Sequence, residues 1–389
     1  MSGGLALAGS LLYWFALPLP SLVRLLAISG HGSEALVTAV AWTSYAIGGS
    51  ISLMLVVWYR GLSREQWQAL LVGGVFLFGF LILFLVASAT ISYVARYSIE
   101  YFRVFIGAFV FLLLGGMLNL GPKQRWLMLL SYILVVVFAY FAIDFELMRV
   151  DFRDGYDGME GHYLFVSDAI CLIAACLVAT IHRASLRILS IFATVLVVFF
   201  VGSRGSLWCF VAAALVMLSL SSKRMFVGTF LLFALGAFVV LPILEASDSP
   251  AVLRIMEPFT DHGGESGEAR SLLFEAGLRA IGDHPFAGDL GGQIRALGSF
   301  GAYIHNILSF WRQFGFLGLI FIIVTLSIFV IGFRAVIKNQ ASGHGASFGV
   351  GLAVIFVVLA SLTARSFASP FLWLLFGFMF REIGRSRVK

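Results

Sequence analysis

The most constraining feature of this chain is a series of long apolar runs separated by short polar gaps. A membrane-spanning helix needs about 20 apolar residues, whereas a transmembrane barrel would show alternating strands of about 10 residues. The sequence is 60% hydrophobic and 12% charged, and a soluble domain carries about 25% charged residues. We therefore predict an all-α integral membrane protein. The composition excludes a soluble enzyme, a disordered chain and a fibrous protein.

Twelve of the runs are long enough to be transmembrane helices, and each boundary is approximate. They lie at about 5–28, 35–58, 67–91, 100–119, 125–146, 162–181, 186–202, 205–221, 225–243, 303–333, 345–363 and 368–381. Pro18 and Pro20 predict a break in the first run, because proline interrupts helical hydrogen bonding. The tenth run is long enough to be an amphipathic helix up to Phe314 and a span after Gly315.

The runs divide the chain into three regions. Residues 1–243 hold the first nine predicted spans, residues 244–302 form one large polar loop, and residues 303–389 hold spans ten to twelve and a basic tail. A single long loop on a helical bundle is more often functional than a spacer.

An amphipathic helix is predicted inside this loop, over about 267–281. Ser266 could cap its start, and Gly282 followed by Pro285 is a typical stop signal. Its apolar face would consist of Leu272, Leu273, Ala276 and Ala280.

The loop charges predict the orientation in the membrane. With a cytoplasmic N-terminus, the cytoplasmic connections and the tail are rich in lysine and arginine, and Glu65 and Glu382 are their only acids. The even helix count then puts the C-terminus in the cytoplasm and the long loop on the outer side. The net charge of +6 therefore reflects topology, and we expect no nucleic acid partner.

Arg204 is a candidate phosphate ligand in the segment VGSRGSLW, between two apolar runs. Flanking glycines permit a tight turn, and the next helix would start near Ser206 with free N–H groups directed at the same place. A guanidinium group also suits phosphate geometry. The alternative is an interfacial arginine whose side chain extends to water or lipid headgroups.

Other arginines on the outer side leave functional and structural interpretations open. Arg270 begins the loop helix and could bind an anion or pair with Glu268 or Glu265. Arg279 follows Glu275 by four residues, which favours an ion pair. Arg365 lies at an outer helix end and could contact an anion or extend to the membrane surface.

His305 and Asn306 begin the segment HNILSFWRQFGFLGL. His305, Ser309 and Arg312 are spaced to share one helical face. A neutral histidine can act as a base near pH 7, and a nearby arginine could hold an anion beside it. His284, in the sequence DHP, could contact substrate or complement the end of the loop helix.

Paired carboxylates in Asp144 and Glu146 could bind a divalent ion. Acids at helix ends are common, however, and Arg149 and Arg153 lie close by in the sequence. We therefore predict no metal site.

Three of these motifs together resemble the bacterial O-antigen ligase and polymerase superfamily (Wzy/WaaL-like). They are SRG at 203–205, the segment R-x-L-x-F-x-A-G-x-x-A-I-x-D-H-P-F-A-G at 270–288, and HNILSFWRQFGFLGL at 305–319. Their order along the chain and the long loop also match, and the resemblance covers about 185–335.

The resemblance implies an inverting glycosyltransferase of the inner membrane that needs no metal or other cofactor. Its donor would be an oligosaccharide on undecaprenyl diphosphate at the periplasmic face. By motif, Arg204 and Arg270 would hold the diphosphate, and His305 would be the catalytic base. The charge that the departing diphosphate needs adds Arg312 as a further candidate ligand. The remaining candidate substrate-binding residues are Asn306, His284, Arg279, Arg295 and Arg365.

Three functions remain open at this point. A polymerase would join lipid-linked repeat units, and a ligase would transfer the glycan to lipid A–core. The eight residues between Asn306 and Gly315 are one fewer than in the ligase pattern, which favours a polymerase. A chain-length regulator would then be a further partner, besides membrane lipids. A lipid-linked glycan transporter is disfavoured, because no internal repeat is seen and the charges gather at one face.

Overall fold

The computed structural model describes residues 2–28, 33–58, 64–118, 120–121, 124–144, 149–150, 162–224, 226–231, 233–234, 264–298, 304–342 and 346–387. Nearly all of these residues are helical. A two-stranded antiparallel ladder pairs β1 (Ile143–Asp144) with β2 (Arg149–Val150).

The helices are α1 (Ser2–Ala16), α2 (Pro18–Leu26), α3 (Glu34–Trp58), α4 (Arg64–Thr90), α5 (Ser92–Arg96), α6 (Ser98–Met117), α7 (Arg125–Phe141), α8 (His162–Thr180), α9 (Ala184–Val201), α10 (Arg204–Ser221), α11 (Gly264–Asp283), α12 (Gly292–Leu297), α13 (Leu308–Ala341), α14 (Ala346–Thr363) and α15 (Phe371–Arg387).

Within the described ranges, eight helical segments are long and apolar enough to cross a membrane. Two shorter apolar helical segments, Ala35–Ile51 and Arg125–Phe141, accompany them. The chain is therefore a multi-pass helical membrane protein. The predicted run at 225–243 and the start of the predicted loop at 244 lie largely outside the described residues.

Two predicted interruptions are confirmed. The first run breaks at Leu17, where α1 ends and α2 begins with Pro18 in its first turn. The tenth run is broken at Gly315, whose φ of 55° and ψ of −135° are not helical. A positive φ strains any residue with a Cβ, so glycine is the residue suited to this break.

The loop helix is longer than predicted. It begins at Gly264, so Ser266 lies within the helix and is not its N-cap. The predicted apolar face is also wrong in part, since Leu272 is exposed whereas Gly277 and Ile281 are buried. The face of α11 that packs includes Gly277, which lies against the side chain of Ile304 in the segment before α13.

The chain forms two structural units. The first comprises Met1–Ile51, Leu118–His262 and Val336–Phe356. Its centre is α8, whose buried residues lie on all sides of the helix. Gly349 of α14 lies directly against the α8 backbone at Ala175 and Ala179, a close approach typical of small residues at membrane helix crossings.

The second unit comprises Ser52–Met117, Gly263–Ala335 and Val357–Lys389. Aromatic side chains from α4, α13 and α15 form its core: Phe80 stacks on Phe314 with ring centroids 4.3 Å apart, and Phe321 lies 4.9 Å from Trp373. This core supports the start of α13, where the candidate site lies.

Candidate functional site

The break in α13 at Gly315 fixes the segment after α11 to the start of α13. In a regular helix the Phe316 N–H would donate to the carbonyl oxygen of Arg312. Instead, Phe316 N–H donates to the carbonyl of Phe286 (3.0 Å), and the Arg312 carbonyl accepts from Asp289 N–H (2.7 Å). One helical hydrogen bond is thus replaced by two bonds to the segment after α11. The indole of Trp311 adds a third, to the carbonyl of Pro285 (3.0 Å).

The segment before α13 holds His305 outside the helix. The Asn306 side-chain oxygen accepts a hydrogen bond from Leu308 N–H (2.9 Å) and so starts the helix there. The predicted shared helical face of His305, Ser309 and Arg312 is therefore wrong, because His305 precedes the first helical turn. Asn306 has a structural role at this helix start.

The imidazole of His305 is half-buried and lies near two arginines from different segments. Burial lowers the pKa of His305 from 6.5 to about 4, and the positive charges of Arg270 and Arg365 contribute to the decrease. Both effects disfavour the imidazolium form. At neutral pH the imidazole is therefore uncharged and can accept a proton.

Arg365 is 8% exposed, and one guanidinium nitrogen donates to the carbonyl of Ala364 (2.9 Å). This burial excludes a side chain that extends to the surface, one of the two alternatives left open by the sequence. The turn that carries Arg365 is fixed to α13, because Phe367 N–H donates to the hydroxyl of the fully buried Ser309 (2.6 Å). Arg270 is exposed on α11.

A cavity of about 290 Å³ lies between α11, α12 and the first turns of α13. Leucine and alanine side chains of α11 and α12 line one part of it. Its polar lining consists of Arg279, Asp283, His284, Asp289, Arg295 and Arg312. The cavity therefore has a mixed lining of apolar and charged side chains.

Most of the charged groups at this cavity are exposed or paired. Arg295 forms an ion pair with Asp289 (3.1 Å), and Arg279 forms the predicted pair with Glu275 (3.5 Å). His284 is exposed. Arg312 is different, because it is only 6% exposed.

Arg204 belongs to the first unit, where it is the first residue of α10 and is half-buried. The predicted tight turn is confirmed, since Gly202 caps α9 with a φ of 79°. Next to it, the hydroxyls of Ser203 and Ser206 are 2.7 Å apart, and Ser206 also donates to the buried carboxylate of Asp168 (2.7 Å). A buried polar cluster therefore supports the turn that carries Arg204.

Sequence reasoning missed two residues of the second unit, Gln293 and Gln313, which are buried beside Arg312. Their side-chain amides bond to each other (2.7 Å). Gln313 follows Arg312 directly, so the sequence already shows that these two residues are neighbours. Nothing in a glycine-rich turn with one glutamine predicts the partnership of Gln293.

No protein-family model matches the chain, and no curated protein matches it in sequence. The resemblance described above therefore rests on the three motifs and their order.

Proposed function

We propose that the protein is an inverting, metal-independent glycosyltransferase that polymerises undecaprenyl-diphosphate-linked oligosaccharide repeat units. It would act in the bacterial inner membrane, with both termini in the cytoplasm and the His305 cluster on the periplasmic side. A transfer to lipid A–core would use the same donor and differ only in acceptor.

The observation that carries the proposal is a half-buried, uncharged histidine near two arginines. His305 is half-buried near Arg270 and Arg365. A donor diphosphate would offset the positive charge of these arginines, and the pKa of His305 would then rise toward its ordinary value. The donor would thereby strengthen the base that its reaction needs.

The reaction balances without a further reagent. An acceptor sugar hydroxyl attacks C1 of the donor, and the bond from C1 to the phosphate oxygen breaks with inversion. The electron pair leaves with the lipid diphosphate, and the hydroxyl proton moves to His305. Fixed positive charge stabilises the departing diphosphate, which is the function that arginine can provide without a metal.

Arg270 and Arg312 of the second unit are candidate diphosphate ligands, and Arg204 of the first unit is a separate candidate that is tested on its own. His284, Arg279, Arg295 and Arg365 remain candidates for sugar contacts. The apolar side chains that line the cavity suit a lipid or the less polar face of a sugar ring. A glycan acceptor, membrane lipids and a chain-length regulator complete the expected partners.

The test is a reaction in nanodiscs with purified protein, undecaprenyl-diphosphate-linked repeat units and EDTA. One arm contains no other acceptor, and the second contains lipid A–core. We expect a ladder of longer lipid-linked glycans in the first arm. A product only in the second arm would identify a ligase. No product in either arm from an intact, matched donor would contradict glycosyl transfer, and a product lost with EDTA would contradict metal independence.

The role of Arg204 is tested with the Arg204→Ala variant in the same assay. We expect a raised KM for the lipid-linked donor, since a diphosphate ligand is lost. Arg183→Ala is the matched control, because Arg183 is an exposed arginine at the start of α9 in the same unit. A fully active Arg204→Ala protein would contradict the diphosphate role.

A further inference from the structure

Arg312 has an unusual environment for a buried arginine. Among the residues that the structure describes, no carboxylate oxygen lies within 4.0 Å of its guanidinium, and the nearby Asp289 is paired with Arg295. The only side-chain hydrogen bond of Arg312 is a long one from Nη1 to the Gln293 oxygen (3.5 Å), and within the same residues Nε has no hydrogen-bond partner. A buried charge without a counter-charge is costly unless a ligand supplies one.

The orientation of the neighbouring amides follows from a backbone group that can only donate. Gly291 N–H donates to the Gln313 oxygen (2.9 Å), so the Gln313 nitrogen must point the other way. That nitrogen donates to the Gln293 oxygen (2.7 Å). Gln293 therefore presents its oxygen to Arg312, and the chain of bonds has one consistent assignment.

This series of hydrogen bonds is held in place at both ends. Gly291 is buried in a turn next to Val94 and Tyr101 of the same unit, and the Tyr101 hydroxyl also lies next to the Gln293 amide. Gln313 lies between Arg312 and the break at Gly315, where the segment after α11 bonds to α13. Gln293 and Gln313 are 0% and 1% exposed. The two amides are thus buried and hydrogen-bonded to each other without any ligand bound.

We propose that Gln293 and Gln313 are positioning residues that hold Arg312 toward the cavity for an oxyanion without neutralising it. A carboxamide oxygen accepts the guanidinium hydrogen bond but adds no charge. A carboxylate at the same place would satisfy Arg312 more strongly and leave no positive charge for a ligand. The ligand class is a phosphate or diphosphate with an apolar substituent, which matches the mixed lining of the cavity. This inference rests on the proposed function for the identity of the diphosphate.

The test compares Gln293→Glu with Gln293→Met in the full-length protein in nanodiscs. The probe is farnesyl diphosphate, and farnesol is the uncharged control. We expect Gln293→Glu to weaken farnesyl diphosphate binding by about tenfold or more, as expected when a buried charge partner is cancelled. Farnesol binding should stay unchanged, and thermal stability should not fall below that of the wild type.

Gln293→Met removes the hydrogen bond but adds no charge, so its effects should be ordered differently. Methionine should weaken diphosphate binding less than glutamate does and should lower thermal stability more. A purely structural role of Gln293 would give the opposite order for binding, because glutamate keeps the bond to Arg312. Equal affinity of the wild type and Gln293→Glu, or no wild-type binding of farnesyl diphosphate, would overturn the inference.

Failure of the proposed function gives a different result. A wild-type protein that binds farnesyl diphosphate and discriminates the two variants, but makes no glycan from an intact donor, would keep this site and refute the glycosyl transfer.

Discussion

Two buried arginines of the second unit have opposite surroundings. Arg381 of α15 is 9% exposed and lies 3.9 Å from the carboxylate of Glu382, which is fully buried and also binds Arg385 (2.8 Å). Arg312 of α13 is 6% exposed and meets the carboxamide of Gln293. The two sites match in burial and differ in charge compensation.

The difference distinguishes a structural site from a binding site. Glu382 lies within ion-pair distance of both arginines, so the fold itself supplies them with a direct counter-charge. Arg312 contacts an amide instead, and the acid nearest to it, Asp289, is paired with Arg295. Because the same unit contains both arrangements, the missing ion pair at Arg312 is a local property of that site.

The largest effect is expected at His305, the proposed general base. His305→Gln should lower kcat by about 10²–10⁴-fold, the usual contribution of a general base. Its thermal midpoint should stay close to that of the wild type. His182→Gln, at an exposed histidine of the first unit, should keep full activity. Normal turnover of His305→Gln would exclude it as the base.

A substitution of Glu382, the acid that pairs with Arg381 and Arg385, should affect stability and not donor binding. Glu382→Gln removes the counter-charge of two arginines and should destabilise the protein by about 3 kcal/mol, as for a broken buried ion pair. Denaturation in detergent measures this loss, and the donor KM should stay within about twofold of the wild type. A stable Glu382→Gln protein with weakened donor binding would reverse the assignment of the two sites.

The break in α13 should matter for the Arg312 site in particular. Gly315→Ala would place a Cβ against the carbonyl of Phe286 at a positive φ, and such strain costs about 1–3 kcal/mol. We expect a lower thermal midpoint and weaker farnesyl diphosphate binding, since the segment carrying Asp289 loses its bonds to α13.

Gly282→Ala is the control for this variant. Nothing lies within 4 Å of a Cβ at Gly282, so alanine should stabilise α11 by up to about 1 kcal/mol. If both alanine variants behaved alike, the break would not be required for binding.

The smallest effect is expected in the pH dependence. Neutral His305 is the active form, so kcat/KM should be complete above its pKa and fall as the pH drops through about 4. Arg365→Met removes one of the two cations and should move this acidic limb to higher pH. Since burial is the larger cause, the limb should stay below 6.5. An unchanged limb would exclude Arg365 as an influence on His305.

Local features were predictable where the backbone itself imposes them. The proline break before α2 and the glycine break in α13 follow from residues whose backbone conformation is restricted or unusually free. The ion pair of Arg279 with Glu275 follows from helical spacing alone.

Features that depend on distant segments were predicted poorly. The spacing of His305 and Arg312 indicated one helical face, but the Asn306 side chain starts the helix after His305. The apolar pattern of α11 did not indicate its packed face, because that face includes Gly277, which packs against Ile304. In both cases a contact that the periodicity does not encode decides the geometry.

The sequence by itself determined a multi-pass helical membrane protein and a set of arginines suited to anions, because hydrophobic length and side-chain chemistry are local properties. Only the tertiary structure decided which of the buried arginines Arg312 and Arg381 has a direct ion pair. Arg312 lies beside Gln293 and Arg381 beside Glu382, and the first of these neighbours is far away in the sequence. Charge compensation in a low-dielectric interior depends on distance in space, which the fold sets and the order of residues does not.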